Sequence, residues 1–219
     1  MSTRSALRFG APLVAALCAL HADAGNRRLP TVDFDDAPHV VLEGIGARYS
    51  EAGFDFTLTG GGYFVMAGSY QPDLINNGTP NLFSANDSVF EITASNHRPF
   101  SLRAFDIAGS WTEPSLWFRW ASAVVLTGTR AGLPDLHHTV TMPQTARFTT
   151  VLLDWEGLSS VTFTPIVNPS GGPADYEFTL DNLYLATVPE PETWGLLLAG
   201  LGATLAHTAW RNRRQRHAG

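Results

Sequence analysis

Glycine and proline together interrupt this chain about every ten residues between positions 44 and 172, a spacing that limits its folds more than any other feature. The glycines among them include Gly44, Gly46, Gly60, Gly61, Gly62, Gly68, Gly78, Gly109, Gly128, Gly132, Gly157, Gly171 and Gly172. Between them run short segments rich in Val, Phe, Thr and Tyr, which fit a pleated, half-buried surface. No interior segment carries apolar residues at a 3.6 period for long enough to make a helix, and no unit recurs at a fixed period. The pattern predicts an all-β domain, an antiparallel β-sandwich of two sheets. Strands are expected near 31–36, 38–43, 54–59, 63–67, 88–93, 99–108, 116–127, 137–142, 147–154, 160–166 and 176–186.

Alternation assigns faces. Leu116, Phe118 and Trp120 share a core side, while Trp117 and Arg119 point away from it. Val161 and Phe163 share an inward face, as do Phe178 and Leu180. Leu183 and Leu185 continue in the opposite phase, so a bulge is expected at Asp181 and Asn182. Gly60, Gly61 and Gly62 read as a hairpin turn.

The two ends of the chain are of another kind. Arg4 and Arg8 precede an apolar run from Phe9 to Leu20, and Ala22-Asp23-Ala24 offers small residues for cleavage. That is the layout of a secretory signal peptide, cut after Ala24. Cys18, the chain's single cysteine, is then lost with the signal, and the exported domain has no disulfide. At the other end Val188-Pro189-Glu190-Pro191 cannot be helix interior, because proline lacks the N–H donor. Trp194 to Trp210 follow without a charge, and as a helix those 17 residues reach roughly 26 Å, enough for a thin bilayer. Arg211, Arg213, Arg214 and Arg216 close the chain and hold that end in the cytoplasm. The expected organisation is a signal peptide over 1–24, a sandwich ectodomain over 25–187 and a processed tail over 188–219. That tail divides into a hinge at 188–193, a membrane helix at 194–210 and a basic end at 211–219.

Proline, glutamate and proline at 189–191, the Gly- and Leu-rich span 195–202 and the terminal arginines together resemble the PEP-CTERM sorting signal of Gram-negative bacteria. The resemblance implies a precursor held in the inner membrane. It also implies removal of the tail by the membrane transpeptidase exosortase, and delivery to the cell surface or extracellular matrix.

Between the signals lie 17 carboxylates against eight arginines, with no lysine anywhere. Such a surface argues against nucleic acid, whose binding rests on phosphate neutralisation. Val32-Asp33-Phe34-Asp35-Asp36 and Phe178-Thr179-Leu180-Asp181-Asn182-Leu183 resemble the first and last strands of calcium-binding jelly-roll modules, including many carbohydrate-binding modules. The resemblance implies termini that meet at one edge, with Asp35, Asp36 and Asp181 supplying the oxygens that hard Ca²⁺ prefers; the same residues also suit turns and caps. Trp111, Trp117 and Arg119, with Trp155 out of core phase, suggest an aromatic platform for an extracellular polysaccharide, or rings that cover loop bases.

Catalytic signatures are missing. His137 and His138 are adjacent and face opposite ways in a strand. No HExxH or nucleophile-elbow pattern occurs. The expectation is a non-enzymatic protein that binds exopolysaccharide or serves as a structural, adhesive matrix component. The enzymatic alternative is a jelly-roll carbohydrate-active enzyme using Glu91 and Asp106, on neighbouring strands, as the carboxylate pair.

Overall fold

The computed structural model describes residues 31–66, 73–142, 145–166, 176–187, 198–202, 204, 205 and 207. The signal cleavage residues Ala22 and Ala24, the hinge from Val188 to Pro191 and the arginines at 211, 213 and 214 lie outside them, as does the side chain of Phe118. Eleven strands follow in chain order: β1 Val41–Glu43, β2 Arg48–Glu51, β3 Phe54–Gly60, β4 Tyr63–Met66, β5 Leu82–Ala85, β6 Val89–Ala94, β7 Phe100–Ala108, β8 Ala123–Arg130, β9 Leu133–Thr141, β10 Thr149–Ile166 and β11 Phe178–Thr187. A 3₁₀ helix, Pro114–Arg119, lies between β7 and β8. Residues 198–202, 204, 205 and 207 are helical. Among the described residues no helix is long and apolar enough to cross a membrane.

The protein is mostly β, and its strands form one hydrogen-bonded sheet in the order β1-β4-β5-β11-β7-β10-β6-β3-β2, with β8 and then β9 added beside β10. Every ladder among the described residues is antiparallel. The two expected sheets are therefore two halves of one curled sheet, and β10 is the corner. Its first part pairs with β7, from Thr149 opposite Ile107 to Leu158 opposite Phe100. Its second part lies between β6 and β8. The register slips between Leu152 and Trp155, between Trp155 and Leu158, and between Leu158 and Ser160. Asp154 (φ 51°) and Gly157 (φ 69°) supply the left-handed residues that such bulges need. What the sequence presents as two strands, 147–154 and 160–166, is one bent strand.

The halves close on a shared core. Phe90 on β6 stacks on Phe178 of β11 at 6.0 Å, and Phe54 of β3 meets Phe100 of β7 edge-on at 5.5 Å. Neither pair belongs to hydrogen-bonded neighbours, so these contacts cross the interior. Phe163, Phe178 and Leu180 are fully buried here, as alternation predicts. Burial of each such ring contributes about 1.5–3 kcal/mol.

Three segments differ from expectation. Leu116 to Trp120 is not strand. Pro114 starts a 3₁₀ helix there, since its ring fixes φ and removes a ladder donor. Gly61 and Gly62 do not close a hairpin, because β3 and β4 are not partners. They carry the chain between the two halves, where a Cβ on Gly62 would lie 2.2 Å from the Asn86 carbonyl oxygen. The opening segment 31–36 is no strand either, only a bridge of Val32 with Leu183. Thr31 N and Leu183 N complete it with bonds of 2.8 Å each. The first and last segments of the fold do meet, as the sequence predicts.

Candidate functional site

Phe178 and Leu180 point into the core, so Glu177, Thr179 and Asp181 point to the other face of β11. A strand's outer face usually meets water. Here all three are buried, at 1%, 1% and 0% exposure. Two segments cover them. One is a strap, residues 73–81. The other is the loop from Gly109 to Ser122 that contains the 3₁₀ helix.

At the start of β11 the loop closes on Glu177. Arg119 donates from Nη2 to its Oε1 at 2.7 Å. Ser110 Oγ donates to Oε2 at 3.2 Å, and Trp111 Nε1 donates to the same oxygen. The backbones interlock too, with Glu177 N bonded to Arg119 O and Ala121 N to Glu177 O. The Arg119 guanidinium carbon stands 5.1 Å from the Trp111 ring centroid, a cation–π distance. Trp117 stacks on buried Trp120 at 4.8 Å. Trp120 lies so close over Gly109 that a Cβ there would come within 2.2 Å of its ring. The strap packs beneath: Leu74 bridges Trp111, and Ile75 N bonds Ser110 O at 2.8 Å.

Four residues along β11, Asp181 stands opposite Asp106 in cross-strand register. The bulge expected there is present. Register slips between Asp181 and Tyr184, and Asn182 has φ 49°. The turned Asn182 donates from Nδ2 to Asp106 Oδ2 at 2.9 Å and from its backbone N to Asp181 Oδ1 at 2.7 Å. Thr150 Oγ1 holds the other Asp106 oxygen at 2.6 Å. From above, strap residues Asn77 (Nδ2, 2.5 Å) and Thr79 (Oγ1, 3.4 Å) donate to Asp181 Oδ2. Burial pushes the Asp181 carboxyl up to about 6; the bonds from Asn77 and Asn182 oppose the rise, and the charges of Asp106 and Asp35 add to it.

Two other acids serve the fold. Asp55 accepts from Ser50 at 2.6 Å, Ser95 at 2.9 Å and Arg48 at 3.5 Å. Burial alone would raise its pKa, but those hydroxyl bonds, with Arg48 and His97, hold it below the ordinary carboxylate value. Glu51 accepts from the backbone N of Asp33 and Phe34 at 3.2 Å each and from Tyr49 Oη at 2.6 Å. It thereby ties the opening segment down, and burial raises the Tyr49 hydroxyl pKa.

The sequence-predicted residues now have places. Trp111 and Arg119 do come together, half-buried on Glu177, while Trp117 stacks beside them on buried Trp120, so the three do not form a flat exposed platform. Asp35 and Asp36 lie in an exposed turn, with Asp35 N bonded to Asp33 Oδ1 at 3.3 Å. Among the described residues no group of three or more His, Cys, Asp or Glu is placed to hold a metal ion. Asp35, Asp36 and Asp181 thus do not assemble the expected calcium cage, and Asp181 spends its oxygens on Asn77, Thr79 and Asn182. Glu91 and Asp106 are not on neighbouring strands. β10 lies between them, Thr162 opposite Glu91 and Thr150 opposite Asp106, at opposite ends of that strand. They cannot flank one bond. His137 and His138 sit side by side in exposed β9. Glu177 was missed, because an outward phase gives no sign that another segment covers it.

Residues 187–214 match a family described as the PEP-CTERM protein-sorting motif, so the tail is such a signal. No curated protein matches the chain. Solved structures with a loose likeness include TmCBM61 in complex with beta-1,4-galactotriose, at 12% identity and a TM-score of 0.35, covering 74% of this chain and 99% of that one. Another is the family 32 CBM from C. perfringens NanJ in complex with galactose, at 9% and 0.37, covering 64% and 98%. Likenesses this loose say nothing of ligand or chemistry.

Proposed function

We propose that this is an exported, non-enzymatic protein with a jelly-roll-like sandwich, delivered to the cell surface or extracellular matrix by exosortase and binding an extracellular polysaccharide there. The observation that carries the delivery reading is where the fold stops. Thr187, paired with Phe100, is the last residue of β11 and the first of the sorting motif. Among the described residues every ladder ends by Thr187, at the motif's first position, so the tail beyond it can be removed without loss of core. The helical leucines beyond it, Leu198, Leu201 and Leu205, are 67%, 59% and 53% exposed, as lipid-facing residues would be.

The same strand supports the ligand reading. β11 is ten residues long, about 30 Å end to end. Its Thr187 end leads to the membrane anchor, and its Phe178 end carries the Glu177, Arg119, Trp111 and Trp117 cluster. That cluster therefore lies at the end away from the anchor, where an external polymer can reach it. Half-exposed indoles suit the apolar face of a sugar ring.

Intact-mass measurement of surface protein from an exosortase-containing host tests delivery, with loss of residues 194–219 expected. A full tail on mature surface protein would overturn it. Calorimetry with the host's exopolysaccharide tests the ligand: Trp117→Ala should weaken binding at least tenfold while leaving processing intact. Equal binding by that variant would remove the cluster as the contact site, and reducing-sugar release by the purified protein would restore the enzymatic reading.

A further inference from the structure

The strap over β11 carries the chain's single Asn-Gly pair, Asn77-Gly78, at its tip. Asn76, Asn77 and Gly78 are exposed. Gly78 has φ 104°, and nothing lies within 4 Å of where its Cβ would be. Asparagine is a labile residue, because the backbone nitrogen of the next residue can attack its amide carbon. A side chain on that next residue obstructs the approach. Glycine has none and leaves the backbone free to turn.

The contacts around this amide favour attack. Thr79 donates to Asn77 Oδ1 twice, from Oγ1 at 2.9 Å and from its backbone N at 3.3 Å. The same hydroxyl lies farther from Asp181 Oδ2, at 3.4 Å. Donors on a carbonyl oxygen stabilise the negative charge it gains when its carbon is attacked. Asn77 Nδ2 donates to Asp181 Oδ2 at 2.5 Å, which orients the amide. Gly78 N donates to Asn76 Oδ1 at 2.5 Å, so the N–H that must lose its proton already faces an acceptor. Groups held in place this way have the advantage of an intramolecular reaction.

We propose that Asn77 is a self-modification site, converted through attack by Gly78 N to aspartate or isoaspartate, and that the conversion releases the strap tip from β11. In the first step Gly78 N gives its proton to water and bonds to Asn77 Cγ. The Cγ–Nδ2 bond breaks, and Nδ2 leaves as ammonia with the protons it needs from water. A succinimide ring remains. A second water adds to either ring carbonyl and opens it, leaving a carboxylate at position 77. The net change is water consumed and ammonia released, with nothing oxidised or reduced.

The release follows from what the amide holds. Among the described residues, the polar ties from the strap tip to the sheet are the bonds of Asn77 and Thr79, and both end on Asp181 Oδ2. Conversion removes the shorter one and sets a carboxylate against buried Asp181, whose register partner is Asp106. Like charges this close repel, and isoaspartate also lengthens the turn by a methylene. The base of the strap keeps its backbone bonds, Ile75 N to Ser110 O and Thr112 N to Asp73 O, each 2.8 Å. The tip therefore lifts while the base stays. The change reaches the aromatic cluster, because Leu74 bridges Trp111 and Ile75 packs against Trp120. The molecule thereby keeps an irreversible record of its age.

The test is to age the full chain in mild detergent at neutral pH for weeks, with a parallel sample unfolded in guanidinium chloride. Peptide mass mapping and isoaspartate methyltransferase labelling then report each asparagine. Expected is conversion at Asn77 that is no slower in the folded chain than in the unfolded one. Asn96, whose Oδ1 also accepts from the backbone two residues on, Arg98 N at 3.0 Å, is followed by His97 and should stay intact. Thr79→Val, which removes the hydroxyl donor at similar volume, should slow conversion several-fold. Amide hydrogen exchange of aged protein, and of fresh Asn77→Asp, should show lost protection over residues 73–81 relative to β11. An Asn77 that stays intact, or that converts faster unfolded than folded, overturns the modification site without recourse to any variant. A Thr79→Val rate equal to wild type overturns the role given to that hydroxyl. Wild-type protection in Asn77→Asp overturns the release. No readout involves sorting or polysaccharide, so the outcome is independent of the delivery and ligand readings.

Discussion

Trp120 and Asp55 show how single side chains hold this fold. Trp120 is fully buried, stacked on Trp117 and seated on Gly109. Trp120→Ala should cost about 3–5 kcal/mol in urea denaturation, as emptying an aromatic site does. Gly109→Ala should also destabilise, by about 1–3 kcal/mol, because its new methyl enters the space of the Trp120 ring. Asp55 works through protonation. Its folded pKa lies below the ordinary value, so its contribution is present above the ordinary carboxylate range and is lost as pH falls through the depressed one. Asp55→Ala should therefore lower the urea midpoint at neutral pH, by an amount equivalent to about 1–3 kcal/mol, and make less difference in acid. Of these residues the sequence named Trp120 as core, for the wrong local reason, since its segment is a 3₁₀ helix and not an alternating strand. Glu177 and Asp55 were not legible. Charge pattern does not tell a solvated carboxylate from one that Arg119 or two serines will cover.

Among the elements, β10 decides the architecture. It begins against β7, bends, and finishes between β6 and β8. Gly157 sits at the bend with φ 69°, and nothing stands within 4 Å of where its Cβ would be. Gly157→Ala therefore adds backbone strain without a clash, and a loss of about 1–2 kcal/mol is expected in thermal or urea unfolding. From sequence this glycine reads as an end, and so one strand became two. β5 was missed for a different reason. Leu82, Phe83, Ser84 and Ala85 are all buried, so no alternation marks them. β2 was missed because it is short and polar at the sheet edge. The bulge in β11 was legible, because a phase switch in apolar residues is a direct record of register.

On the scale of the whole molecule, the β class, the meeting of first and last segments and the sorting tail were all readable in the chain. The tail was readable because a hinge, an apolar span and a basic end are local patterns. The curl of the sheet was not, since it depends on which distant strands share hydrogen bonds. That curl leaves β11 hydrogen-bonded on both sides, to β5 and to β7, with its last residue at the start of the sorting tail. There is a mechanical consequence for a molecule tethered through that end and pulled from the other. Tension would enter at Thr187 and run along β11, while antiparallel ladder bonds lie across the strand. They would be loaded together in shear instead of parting one after another. Single-molecule stretching between Thr187 and the loop at Thr112 should therefore meet a higher rupture force than peeling β9 from β8 at the open edge. A cell-surface tether bearing load from outside would have its strongest axis in line with its attachment.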